Sequence, residues 1–194
     1  MLSYLAAALP AQTTAAARLL ALQCALRSTA AGMVRLPAGL VRGMRLNSGT
    51  APFAELEDAR WLYSPVRPTT GREGLTVQLL DVAVRMQAPA RRDRARAADW
   101  ILRTCRAKEL SRLGPLPRLV ALGLACHPSA CDPHTPRCAE QEILARLCGL
   151  TPRGIAHVLD VLTETRFLRS WTYGPALEDL RWELALPARS ADGD

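Results

Sequence analysis

The chain repeats itself, and that limits its possible folds more than any other feature. "RLLALQCAL" (Arg18–Leu26) aligns with "RLVALGLAC" (Arg118–Cys126) at an offset of 100 residues. "LPAGLVRGMRLNSGTAPFAELEDARWL" (Leu36–Leu62) aligns with "EILARLCGLTPRGIAHVLDVLTETRFL" (Glu142–Leu168) at an offset of 106. Gly43 falls on Gly149, Leu56 on Leu162, Arg60 on Arg166 and Leu62 on Leu168, with Phe53 on Leu159 and Trp61 on Phe167. A chain with such a period builds one supersecondary unit twice.

The local physics of each copy follows the same order. An apolar helix comes first, then a loop, a short helix ending near glycine, a tight turn and a second helix. Gly43 and Gly149 suit a left-handed helix end. Thr151 followed by Pro152 supplies an N-cap hydroxyl and a proline in the first turn. Asn47 and Ser48 offer the equivalent cap in the first copy. Pro52 there requires the second helix to start late, near Thr50, or to bend. Each copy then becomes extended: "RWLYSPV" and "LTVQLLDV" around "RPTTGREG", and "RFLRSWTY" and "DLRWELAL" around "GPALE". Both read as hairpins closed by Gly/Pro turns.

Three helices followed by a hairpin, and above all "LARLCGLTPRGIAHVLDVLTETRFL", resemble the winged helix-turn-helix domains of MarR/GntR-like bacterial regulators. The resemblance covers 13–84 and 115–187. It implies a mainly α fold with small β-hairpins, as two winged-helix domains, and a DNA-binding role. Tandem winged helices also occur in replication initiators and in chromosome-segregation accessory proteins, so fold alone leaves function open. Between the copies, 85–114 reads as a basic connecting helix of about twenty residues. Its apolar positions are Ala98, Ile101, Leu102, Cys105 and Leu113, and Gly114–Pro115 stop it. Residues 188–194 read as a disordered tail.

Charge supports a polyanionic partner. The net charge is +7 and the isoelectric point about 9.6. It is unevenly spread: 1–50 hold five Arg and no acid, 91–118 hold nine bases and three acids, and 119–194 are net acidic. Residues near the N-terminus of the second helix of a helix-turn-helix meet base edges. In the first copy these are Asn47, Ser48 and Thr50, with Arg42 and Arg45 just before. In the second they are Thr151, Arg153 and His157, with Arg153 suited to bidentate reading of guanine. Arg67 and Arg72 sit at the first wing tip, whereas Glu178 and Asp179 on the second wing would repel phosphate. Arg91, Arg92, Arg94 and Arg96 begin the connecting helix. The resulting expectation is a sequence-specific double-stranded DNA-binding regulator, in which the first copy and the connecting helix carry most of the contact. It would be cytoplasmic and nucleoid-associated, and a homodimer would let it read two half-sites. The alternative is a protein-interaction adaptor that uses the acidic second copy in a replication or segregation complex.

"ACHPSACDPHTPRC" (Ala125–Cys138) is a Cys/His-rich stretch that the changed offset places in a loop of the second copy. Cys126, Cys131, His134 and Cys138 form a candidate zinc set, since zinc takes four thiolate or imidazole ligands. No CxxC knuckle is present. A thiol switch between Cys131 and Cys138 and a plain proline-rich loop are the competing readings; on the last, no cofactor is needed. Cys24, Cys105 and Cys148 read as small core residues. The first 54 residues, rich in Arg and free of acid in 1–50, mimic a transit peptide, a reading that the repeat argues against. No apolar run reaches the roughly 18 residues of a membrane span. No phosphate-binding glycine loop, nucleophile elbow or HExxH points to an enzyme.

Overall fold

The computed structural model describes residues 1–46, 50–65, 74–127, 136–174 and 179–185. They form two compact units, Met1–Arg103 and Thr104–Asp194.

Unit 1 begins with α1 (Leu2–Ala8) and α2 (Ala15–Arg27), followed by β1 (Met33–Leu36), α3 (Ala38–Met44) and α4 (Ala51–Asp58). The hairpin β2 (Leu62–Tyr63) and β3 (Leu75–Leu79) then leads to α5 (Ala83–Gln87) and α6 (Arg91–Cys105). The strands form an antiparallel sheet in the order β1-β3-β2. Every residue of α2 from Ala16 to Leu26 is buried, so it is the unit's central helix. Thr14 caps it, its hydroxyl accepting from the Ala17 N–H at 3.2 Å. The Glu55 carboxylate on α4 in turn takes the Thr14 N–H at 2.5 Å and the Thr14 hydroxyl at 2.6 Å. Val34, Leu36, Leu62, Leu75, Val77 and Leu79 form the sheet's inner face and complete the core with Phe53, Leu56 and Trp61.

Unit 2 repeats the order with α7 (Pro115–Cys126), β4 (Arg137–Glu140), α8 (Gln141–Cys148), α9 (Pro152–Glu164), β5 (Leu168–Tyr173) and β6 (Asp179–Leu184). Its sheet order, β4-β6-β5, matches that of unit 1. Leu144, Ala145, Ile155, Val158, Leu159, Leu162, Leu168, Leu180 and Trp182 are buried around α7. Arg137 on β4 holds the end of α7, its Nη1 donating to the carbonyls of Leu124 (3.3 Å), Ala125 (2.8 Å) and His127 (2.9 Å). A cation there also complements the helix dipole.

Two features recur at aligned positions. Arg18 and Arg118 are both buried near the start of the central helix, and each reaches back to carbonyls eight and seven residues upstream. Arg18 donates to Pro10 (3.0 Å) and Ala11 (3.3 Å), and also to Thr13 (3.0 Å). Arg118 donates to Leu110 (3.2 Å) and Ser111 (3.1 Å). Arg60 (φ 53°) and Arg166 (φ 63°) both adopt the left-handed conformation. Each ends its helix in a Schellman turn, with Trp61 N–H to Leu56 O at 3.0 Å and Phe167 N–H to Leu162 O at 3.0 Å.

Three expectations are corrected. Each copy has a strand, β1 or β4, before its two-helix segment, so the hairpins belong to three-stranded sheets. Gly43 lies inside α3, and the left-handed residue at that helix end is Arg45 (φ 47°), while Gly149 (φ 68°) does take the expected role. The connecting segment is not one helix over 85–114. It divides into α5 and α6, α6 ends at Cys105, and Gly114 is the N-cap of α7 rather than a stop. Nor does α6 stand apart from the first copy: Gln23 on α2 donates to Ala98 O at 3.1 Å and Arg27 pairs with Asp99 at 2.7 Å, and α6 belongs to unit 1 as far as Arg103. The apolar side that suggested a helix is also what seats it. Of the two alternatives for Pro52, the late start holds: Thr50 is the N-cap, α4 starts at Ala51 and Pro52 lies in its first turn. The expected tail at 188–194 lies outside the described residues.

Candidate nucleic-acid interface

In unit 2 the helix-turn-helix geometry is well defined. α8 ends at left-handed Gly149, and two residues later Thr151 caps α9 by accepting the Gly154 N–H at 3.2 Å. Gln141 at the start of α8 donates to Pro152 O at 2.6 Å and ties the two helices together. Ile155, Val158, Leu159 and Leu162 point α9 into the core, which leaves Arg153, His157, Asp160 and Glu164 along one exposed stripe. The stripe changes sign along its length. Arg153 and His157 occupy the N-terminal half, where the helix dipole adds positive potential. Asp160 and Glu164 occupy the other half. Asp160 accepts the Trp171 indole N–H at 3.0 Å, which locks β5 against α9. Trp171 meets Tyr173 edge-on, with ring centroids 5.4 Å apart. This helix-to-strand lock is absent from the sequence reading. Its only sequence signal was the aromatic alternation "WTY".

In unit 1 the expected DNA-facing residues are less favourably placed. Arg42 and Arg45 are exposed at the end of α3, and Thr50 is exposed at the start of α4 without a capping bond. α4 itself carries Glu55, Glu57 and Asp58 and no base. Glu55 is committed to Thr14, and Glu57 accepts the Ser64 N–H at 2.9 Å. Asn47, Ser48, Arg67 and Arg72 lie outside the described residues, as does Glu178. Asp179 begins β6, half-buried and in register with Glu140.

Among the described residues of unit 1, α6 carries a dense cationic surface. Arg91, Arg92, Arg96 and Arg103 are exposed, while Arg94 is half-buried. Arg92, Arg96, Asp99 and Arg103 share one side at helical spacing, opposite buried Ala98 and Ile101. At 1.5 Å per residue the stripe spans about 16 Å. Duplex DNA presents about one negative charge per 1.7 Å of its axis, so a stripe of this length faces several phosphates.

The zinc candidates are only partly described. Cys126 is the last residue of α7, and Cys138 lies in strand β4, paired with Arg181 rather than in a loop. Cys131 and His134 lie outside the described residues. Among the described residues, no group of three or more His, Cys, Asp or Glu could hold a metal ion. Also among them, no helix is long and apolar enough to cross a membrane.

Thiol chemistry yields a direct check. Cys24, Cys105 and Cys148 are buried. Burial pushes the Cys24 thiol up to about 12 and the Cys105 thiol up to about 11. Cys126 is also raised by burial of its sulfur, although the residue reaches the surface. Because the thiolate is the nucleophile, iodoacetamide at pH 8 is expected, among the described cysteines, to label Cys138 first and Cys126 more slowly. Cys24, Cys105 and Cys148 should react only after denaturation. Peptide mass spectrometry reads the order, and equal labelling of Cys24 and Cys138 in the folded chain would contradict this core.

No family model matches this chain, and no curated protein or solved structure matches it.

Proposed function

We propose that this chain is a double-stranded DNA-binding protein of the transcription-regulator kind, built from two winged helix-turn-helix domains. The twice-repeated order of helix, strand, two helices and hairpin supports the winged-helix reading, as does the sheet order with the last strand central. The observation that carries the DNA reading is the stripe of Arg153 and His157 at the capped start of α9. A helix-turn-helix presents that position to base edges in the major groove. Arg153 would read guanine through its two-pronged guanidinium, and His157, one turn on, a neighbouring base or phosphate. Arg92, Arg96 and Arg103 on α6 would hold phosphates, which position a protein without specifying sequence. Arg42 and Arg45 add charge beside the unit 1 turn. Asn47, Ser48, Arg67 and Arg72 join the surface on sequence position alone. Base reading thus shifts toward unit 2, because the carboxylates of α4 oppose entry into a phosphate-lined groove.

The test is duplex binding at two salt concentrations, followed by selection from random sequence. Affinity is expected to fall by roughly a hundredfold or more between 50 and 200 mM salt if about five phosphates are engaged, and a preferred motif should emerge. Absence of binding at the lower salt would sink the proposal.

A further inference from the structure

The two units provide an internal comparison of one surface, the outer face of each sheet. In unit 2 that face is polar. Cys138, Arg181 and Thr172 lie side by side across the three strands, and Ser170 pairs with Glu183. Arg169 adds an ion pair to Glu183 at 3.7 Å. In unit 1 the row that matches Cys138 and Arg181 is Arg35 and Thr76, while the row that matches Ser170 and Glu183 is Tyr63 and Gln78, with Met33 across from Gln78. Leu80 extends the row, its N–H donating to Trp61 O at 3.0 Å, and Val82 and Met86 follow at the start of and within α5. Tyr63 is 54% exposed, Leu80 48%, Val82 61% and Met86 84%. One topology thus carries a polar, charged face in one copy, while in the other Met33 and Tyr63 flank Gln78 on that face and exposed Leu80, Val82 and Met86 follow in the chain. Scattered exposed apolar residues need no explanation, but a cluster of this kind marks an interaction site.

The rim indicates what covers it. Arg35 stands two residues from Met33 on the same face of β1, in register with Thr76, and is exposed. Arg60, also exposed, immediately precedes Trp61 at the other edge. The carboxylate of Asp81, beside Leu80, is engaged by the Tyr4 hydroxyl and by the Ala83 N–H at 3.0 Å. A second copy docking face to face would bring the arginine rims of both copies into one interface, where like charges are costly. A head-to-tail contact between copies would build a ring or an open, growing chain.

We infer that the outer face of the first sheet docks a segment of another protein in which apolar side chains are flanked by carboxylates. The apolar side chains would cover Tyr63, Leu80, Val82 and Met86, and the carboxylates would reach Arg35 and Arg60. The row lies at the end of the sheet away from the β2–β3 connection, and none of Tyr63, Leu80, Val82, Met86, Arg35 and Arg60 is among the residues assigned to DNA above.

Panning a library of random linear peptides against the full chain tests this. Enrichment of peptides that interleave apolar residues with Asp or Glu is expected. The doubly substituted Tyr63→Ser/Leu80→Glu chain should bind a selected peptide roughly tenfold or more weakly. Arg35→Ala should weaken only peptides that keep their acids. Both variants alter exposed side chains and should retain duplex binding, so failure of the DNA reading would not imitate failure here. Three results would overturn the inference: no enriched family, selected peptides that bind the double variant as well as the parent, or a concentration-dependent dimer that Leu80→Glu dissociates.

Discussion

Arg118→Met is expected to destabilise unit 2 by about 3 kcal/mol, because a buried and a part-buried carbonyl lose a charged donor. Arg118 is 2% exposed and donates to Leu110 O and Ser111 O. Methionine fills much of the volume but makes neither bond. For a unit of this size the loss corresponds to a midpoint roughly 15 °C lower. Arg18→Met should do the same in unit 1, where Pro10, Ala11 and Thr13 lose their donor. Lysine should not restore stability, since one ammonium cannot reproduce the guanidinium fork. Native-state amide exchange distinguishes the two variants. Arg118→Met should release protection in α7, α8 and α9 and spare α2, with the reverse pattern for Arg18→Met. Uniform loss across both units in either variant would contradict two separately held cores.

The second large effect concerns DNA. On a duplex carrying the selected motif, Arg153→Ala/His157→Ala should lower affinity by one to two orders of magnitude, since a bidentate base contact contributes about 1–3 kcal/mol of discrimination. The same variant should lose the preference for the motif and keep most of its affinity for random duplex. Arg92→Ala/Arg96→Ala/Arg103→Ala should behave oppositely. Affinity should fall for every sequence, and the slope of log affinity against log salt should flatten by nearly 3 if each arginine meets one phosphate. All five side chains are exposed, so these substitutions should leave folding intact. An unchanged slope in the triple variant would remove α6 from the surface, and an unchanged motif in the double variant would remove α9.

Much of this organisation was legible because it is local or repeated. The alignment of Arg18 with Arg118 and of Arg60 with Arg166 marked positions that share a buried fork and a left-handed helix end. Thr151–Pro152 signalled the start of α9 because an N-cap depends on a hydroxyl and the N–H three residues on. The cysteines within apolar helical runs, Cys24, Cys105 and Cys148, are buried as their neighbours suggest. β1 and β4 escaped notice because four residues, "MVRL" or "RCAE", carry too few alternations to announce a strand. They become strands only because β3 and β6 offer an open edge. Arg45 takes the left-handed position that Gly43 seemed to claim, since helix length is set by how α3 packs and not by where glycine falls.

The sequence by itself determined the duplication, the order of elements in each copy, the helix caps and the apolar stripes, all of which depend on neighbours within a few residues. Only the tertiary structure decided that α6 packs on α2, that Trp171 locks to Asp160, that Glu55 and Glu57 of α4 turn to unit 1's own backbone, and that Met33 and Tyr63 stand on the sheet face whose twin carries Ser170 and Glu183. Those outcomes turn on contacts between residues distant along the chain, or on cross-strand register, where a single-residue shift changes which side chains share a face.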